Sequence, residues 1–243
     1  YPDNYLTKYA IGNYYNIKAL LPMVADESDK DNALKNLMEA YQIMKKKINV
    51  ESNDFTLKPT YEAVLRNLTG RVTNTHMYST AKPIILDEID FFIKENNYNK
   101  LVKSFIDIGE IELWLGNYDN SIDYYLSAQQ YASMHSLYYF DNFSNIDIAN
   151  NYVMKDKLEL GIEMLKESYN IIQKNNKDSL LSYHDYYRLL YKYNVSTGFA
   201  YYYYKDYDKS IKYFNSSIES INNWLINLDE DESNYYSKKA ILS

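Results

Sequence analysis

Three stretches of this 243-residue chain carry the same arrangement of small and large side chains. In the first, Gly109 precedes Ser121 by twelve positions and Tyr125 follows four later; the second has Ala149, Gly161 and Leu165, the third Gly198, Ser210 and Phe214. A helix pair that leaves one side apolar cannot bury it alone and must stack on copies of itself, so a repeat of this kind narrows the choice of folds sharply. Small residues at both places let two helix backbones approach closely, and the large residue fills the gap toward the neighbouring pair. This is packing information without catalytic content.

Apolar residues at helical spacing extend the pattern to nearly the whole chain. The spacing predicts a first helix over about 4–21, stopped by Pro22, and a second over 31–48 after the acidic loop Asp26-Glu27-Ser28-Asp29. Pro59 suits the first turn of a third helix, and a fourth follows Ser79 and Pro83 and ends at Glu95-Asn96-Asn97. Pairs then follow at 99–115 with 119–133, 138–154 with 157–175, and 179–204 with 207–227, joined by short segments that make neighbours antiparallel. The acidic run Asp229-Glu230-Asp231-Glu232 reads as the start of another helix near Ser233. Six Gly and four Pro leave too few breakers for a sandwich or barrel.

The segments Leu115-Gly116-Asn117-Tyr118-Asp119-Asn120-Ser121-Ile122 and Tyr204-Lys205-Asp206-Tyr207-Asp208-Lys209-Ser210-Ile211 resemble the tetratricopeptide repeat (TPR), with its aromatic in the turn and small-large-small spacing on the second helix. The copy around Gly161 matches more weakly. The small anchors recur after 40 and 49 positions where the family's unit has about 34 residues, so the helices here are longer, similar to the elongated repeats of bacterial signalling regulators. The resemblance implies an all-α right-handed superhelix, a TPR-like solenoid of about five antiparallel helix pairs. Residues 1–97 form its irregular N-terminal pairs and 98–243 its repeats. The chain begins without Met and ends in mid-pattern, so it reads as a piece of a longer protein.

Little in the sequence points to chemistry. There is no cysteine, hence no disulfide, thiolate nucleophile or Cys-based zinc site. His76, His135 and His184 never stand at H-x-x-x-H spacing, so no metal and no cofactor is expected. No phosphate loop or nucleophile elbow occurs, and pairs such as Asp87-Glu88 and Glu110 with Glu112 fit wet helix faces. The chain reads as a non-enzyme. A net charge of −7 with both signs dispersed offers no cationic field for direct nucleic-acid contact, and no apolar run is long enough for a membrane span.

What remains is a binding surface. In the tetratricopeptide family the first helices of successive pairs line a concave groove, and those positions fall here on Lys103, Ile106, Glu110, Leu113 and Trp114; on Phe143, Ile146, Asn150, Val153 and Met154; and on Lys192, Val195, Phe199, Tyr202 and Tyr203. Their aromatic and aliphatic character suits a peptide or protein held by a few anchors. The family's clamp for a peptide C-terminus is not reproduced, because Ile106 and Glu110 stand where Lys and Asn are needed. The resemblance implies the sensory or scaffolding part of a bacterial signalling protein. An intracellular peptide-pheromone receptor or regulatory phosphatase, and a purely structural scaffold, are the alternatives. A homodimer is compatible with all three, as are a cytoplasmic and a periplasmic setting. Thirty tyrosines have two readings: AT-rich codon usage, or interface filling that keeps a polar tip.

Overall fold

A computed structural model describes residues 4–18, 27–48 and 57–226. Among them are ten α-helices and no strand: α1 Tyr5–Lys18, α2 Glu27–Ile48, α3 Leu57–Asn74, α4 Tyr78–Lys94, α5 Tyr98–Trp114, α6 Tyr118–Met134, α7 Tyr138–Met154, α8 Leu158–Lys177, α9 Tyr183–Tyr203 and α10 Tyr207–Ile226. They fall into two compact units, Tyr1–Asn96 and Asn97–Ser243. In the first unit α1 packs on α2, α2 on α3 and α3 on α4, and α1 also touches α3. In the second, each helix from α5 to α10 packs on the next, and α5 touches α7 as α7 touches α9. The first helices of the second unit thus form one layer. The further helix expected from near Ser233 lies outside the described residues.

The turns explain the regularity. From Tyr78 to Leu158 five helices start every 20 residues, and four of them, α4 to α7, are 17 residues long. A left-handed residue stands two positions before the next helix at His76, Asn96, Gly116, Ser136, Asp156 and Lys205, and Ser179 holds the same conformation in the longer connection before α9. At α5 the Asn117 N–H donates to the Glu112 carbonyl (2.8 Å) and the Gly116 N–H to that of Leu113 (3.0 Å), the bonding of a Schellman cap. The bond from the residue before the next helix recurs at Met77→Val72, Leu137→Ala132, Lys157→Tyr152 and Asp206→Tyr201. One three-residue turn therefore ends one helix and opens the next.

Within a pair the small residues act as the repeat implies, with a chemical addition. Ser121 Oγ donates to the Gly109 carbonyl at 2.7 Å and Ser210 Oγ to that of Gly198 at 2.9 Å. A methyl group at Gly109 would lie 3.1 Å from the Tyr125 ring, and one at Gly198 2.8 Å from that of Phe214. The large residue thus sits on the small one of its own pair. Tyr125 also joins a core cluster with Ile148 of α7, so the expected filling toward the next pair is its second contact. The middle pair has no hydroxyl: a methyl at Gly161 would meet the Ala149 carbonyl at 3.0 Å. The first unit repeats the device with Gly12 beneath Leu37, and with Thr69 and Ala81 again twelve positions apart and both buried.

Three helix starts differ from the sequence reading. Residues Glu27 to Asp29 belong to α2, where acidic side chains favour the first turn; Asp29 is buried and bound by Lys18 at 2.9 Å. α4 starts at Tyr78, ahead of Pro83, which is exposed at its sixth position, where water can serve the carbonyl that proline leaves without a donor. α9 starts at Tyr183, capped by Ser182 Oγ accepting from the Asp185 N–H at 3.1 Å, because Ser179 is left-handed.

Two predictions follow from glycine chemistry. Ser136 holds a left-handed conformation that costs a non-glycine residue about 1–2 kcal/mol, so Ser136→Gly should stabilise the fold by about 0.5–1 kcal/mol and raise the thermal midpoint by about 2 °C. No rise in a calorimetric scan would contradict the turn assignment. Gly70 has open space around it and Gly198 has the Phe214 ring. Gly70→Ala should therefore stabilise by about 0.5–1 kcal/mol while Gly198→Ala destabilises by about 1–3 kcal/mol, opposite signs readable by denaturant titration.

Candidate functional site

Helical spacing places four residues of each first helix of the second unit on one stripe. They are Lys103, Asp107, Glu110 and Trp114 on α5; Phe143, Asp147, Asn150 and Met154 on α7; and Lys192, Ser196, Phe199 and Tyr203 on α9. The stripes correspond position by position, because α7 follows α5 by 40 residues and the repeat carries Met154 onto Tyr203, each the last residue of its helix. The layer therefore presents four rows of three.

The α7 and α9 stripes are bonded to one another. Lys192 Nζ lies 2.7 Å from Asp147 Oδ1 and 3.7 Å from the centre of the Phe143 ring, so the ammonium is shared between a carboxylate and an aromatic face. Asn150 Nδ2 donates to Ser196 Oγ at 3.0 Å. Asp147 is buried, and that burial raises its pKa; the Lys192 ammonium pulls it down, nearby Glu110 pushes it up, and the Asn150 amide lowers it. The three carboxylates Asp147, Glu110 and Asp107 also gather around the buried Tyr125, whose hydroxyl pKa burial raises first and their charge raises further.

The row at the helix ends is apolar and open: Trp114 is 66% exposed, Met154 44% and Tyr203 50%. Next to it Phe199 lies edge-on to Phe214 at 5.2 Å, and Tyr202 packs against Tyr203 and Tyr207. Lys103 Nζ is 5.6 Å from the Phe140 ring. Leu113 is half-buried and Glu110 exposed.

Of the residues read from the sequence, Phe143, Asn150 and Lys192 meet in one network, and Trp114 and Tyr203 end corresponding helices. Ile106, Ile146 and Val153 do not line an open face: all three are buried in core clusters, Ile106 with Val102 and Ile122, Ile146 and Val153 with Leu165. Asp107, Asp147 and Ser196 were missed. The signal was available: Asp147 stands four residues after Phe143 and three before Asn150, hence on the same stripe.

Elsewhere, Lys45, Lys58, Tyr61, Asp87, Asp90, Phe91, Lys94 and Glu95 of the first unit line a cavity of about 360 Å³. Two of its ion pairs are internal, Lys45–Asp87 at 2.5 Å and Lys58–Glu95 at 2.7 Å. Tyr41 also bonds Asp87, and burial raises the hydroxyl pKa of both Tyr41 and Tyr61. Among the described residues no group of three His, Asp or Glu could hold a metal ion, and no helix is long and apolar enough to cross a membrane. His135 stacks on Tyr98 with centres 3.7 Å apart, and His76 Nδ1 lies 2.7 Å from the Tyr78 hydroxyl.

No family model and no curated protein sequence matches the chain. Solved structures do. A protein of Podosopora anserina assigned as a kinesin light chain, with nearly identical TPR-like repeats, aligns over 90% of this chain and 96% of its own at 10% identity and a TM-score of 0.55. The apo form of RapI aligns over 90% and 83% at 10% identity, TM-score 0.53. MamA aligns over 89% and 91% at 14% identity, TM-score 0.50. At such identities the likeness concerns backbone architecture, and it agrees with the paired helices and close small-residue contacts described above: the fold of this chain is that of the TPR-like repeat proteins.

Proposed function

We propose that this chain is a non-enzymatic module that binds a protein or peptide across the first helices of its second unit, as the sensory or scaffolding part of a bacterial signalling protein. The observation that carries the reading is the apolar row Trp114, Met154 and Tyr203, one large exposed side chain at the same end of three adjacent helices. Packed helices lie about 8–10 Å apart, so the row extends roughly 20 Å, the reach of about six residues of extended chain. A segment lying across the layer meets one anchor per helix, the arrangement in which a few aromatic contacts dominate affinity. The bonded network of Phe143, Asp147, Asn150, Lys192 and Ser196 sets the spacing of α7 and α9 under it. A partner that spans these helices favours one relative placement of the pairs over others, which is how binding here would be transmitted along the repeats.

Selection of a phage-displayed random dodecapeptide library on the immobilised chain tests this. The wild type should enrich a consistent set of sequences, and Trp114→Ala with Tyr203→Ala should abolish the enrichment. Exposed positions of this kind change stability by about 0.5 kcal/mol or less each, so helical circular dichroism and melting should be nearly unchanged. Unaltered enrichment, or a large loss of stability, would refute the surface.

A further inference from the structure

We infer that two copies of this chain associate through the outer side of α10, the two helices lying antiparallel about a two-fold axis at Asn215. The repeat defines that side. After the small residue of each second helix, Ser121, Gly161 and Ser210, comes isoleucine in all three pairs: Ile122, Ile162 and Ile211. Ile122 and Ile162 are each 8% exposed, in core clusters that include residues of the helix that follows, Ile148 of α7 and Leu189 of α9. Ile211 is 59% exposed, and Ile218, two turns further on, is 56% exposed. α10 thus carries the interface side of the earlier second helices, and among the described residues no helix follows to cover it.

Helical spacing sorts the rest of α10 around these two isoleucines. Its inner side is held by α9, where Ser210 Oγ donates to the Gly198 carbonyl and Ser220 Oγ accepts from Asn194. On the outer side Ile211, Asn215, Ile218 and Asn222 form one exposed stripe, with Lys212 and Glu219 exposed along a single flank of it. Neither the Lys212 ammonium nor the Glu219 carboxylate has an ion pair among the described residues. These charges select the direction of pairing. A parallel pair sets the two flanks on opposite sides of the seam, where Lys212 and Glu219 meet no charge of the other copy. An antiparallel pair sets both flanks on the same side. Ile211 stands four positions before Asn215 and Ile218 three after; Lys212 stands three before and Glu219 four after. With the axis at Asn215, each Ile211 therefore faces the other copy's Ile218 and each Lys212 the other copy's Glu219. The helix carries two cations and two carboxylates, so it offers a neutral surface on a chain whose net charge of −7 makes two copies repel elsewhere. One helix against one helix buries less than the ~1,200–2,000 Å² of a stable interface, so the association is reversible and depends on concentration. α10 is a second helix, and the contact is separate from the stripes of the first helices.

Sedimentation equilibrium of the full chain should show monomer and dimer in exchange, and Ile218→Asp should abolish the dimer while helical circular dichroism and melting stay nearly unchanged. Lys212→Glu should weaken dimerisation about tenfold, since two exposed ion pairs are replaced by two repulsions, and adding Glu219→Lys should restore it. Because the chain has no cysteine, Asn215→Cys supplies a single thiol at the axis, and mild oxidation should link two copies through it. Asn170→Cys, on the exposed side of α8, should stay monomeric under the same treatment. A dimer that survives Ile218→Asp, or a charge reversal that Glu219→Lys does not restore, would overturn the inference. So would a chain that remains monomeric up to millimolar concentration. In that event, a thiol of Asn215→Cys that resists maleimide would assign the face to the chain's own residues after Ile226, and one that reacts freely would assign it to a different protein.

Discussion

Each pair in the second unit depends on how closely two helix backbones can be brought together at one point. Where glycine lies on the first helix and serine on the second, the serine hydroxyl reaches the glycine carbonyl, and the large side chain one turn on covers the glycine. Helices packed without such a gap lie farther apart, and Tyr125 or Phe214 would have nowhere to sit. The close approach also leaves little room for adjustment, since a single methyl at Gly198 would fall 2.8 Å from the Phe214 ring. Stacking of the pairs is downstream of this contact, because the same large residues reach on into the next pair, as Tyr125 does toward Ile148.

The turns set the rest. A three-residue connection with one left-handed position reverses the chain and fixes the phase of the following helix, so helices of equal length start at equal intervals from Tyr78 to Leu158. Equal phase is what brings corresponding positions of α5 and α7 onto the same row. It also gives the tyrosines a mechanical role: seven helices begin with Tyr, where the ring can lie across a turn, as Tyr98 does on His135 and Tyr207 against Tyr202.

Much of the architecture was legible because it is written in side-chain size. The twelve-position spacing of small residues identified the three regular pairs and their order. It failed to identify the device at Gly12, where the α1–α2 connection is longer and puts Gly12 25 positions before Leu37, and at Thr69, whose hydroxyl group hides a small packing footprint. Helix starts were misread where a local cue pointed the other way: Pro83 looks like a beginning but is tolerated on an exposed side, and the acids before Asp31 look like a loop although they suit a helix N-terminus. The proposed binding face was half legible. Carrying over the family's groove positions selected Ile106 and Ile146, which face the core, and passed over Asp107 and Asp147, which helical spacing alone puts on the stripe.

The polar character of that stripe has an energetic logic. Burial raises the pKa of Asp147 in spite of the Lys192 ammonium beside it, so the attraction does not fully offset the loss of hydration. A pair of this kind adds little net stability and leaves a costly buried charge if one partner is removed. Its physical effect is positional: an ammonium bonded on one side and seated on a ring on the other fixes which turn of α9 faces which turn of α7. The apolar clusters formed by α5 to α8 with their neighbours supply the stability. Separating the two tasks leaves the layer of first helices free to be polar where α7 meets α9.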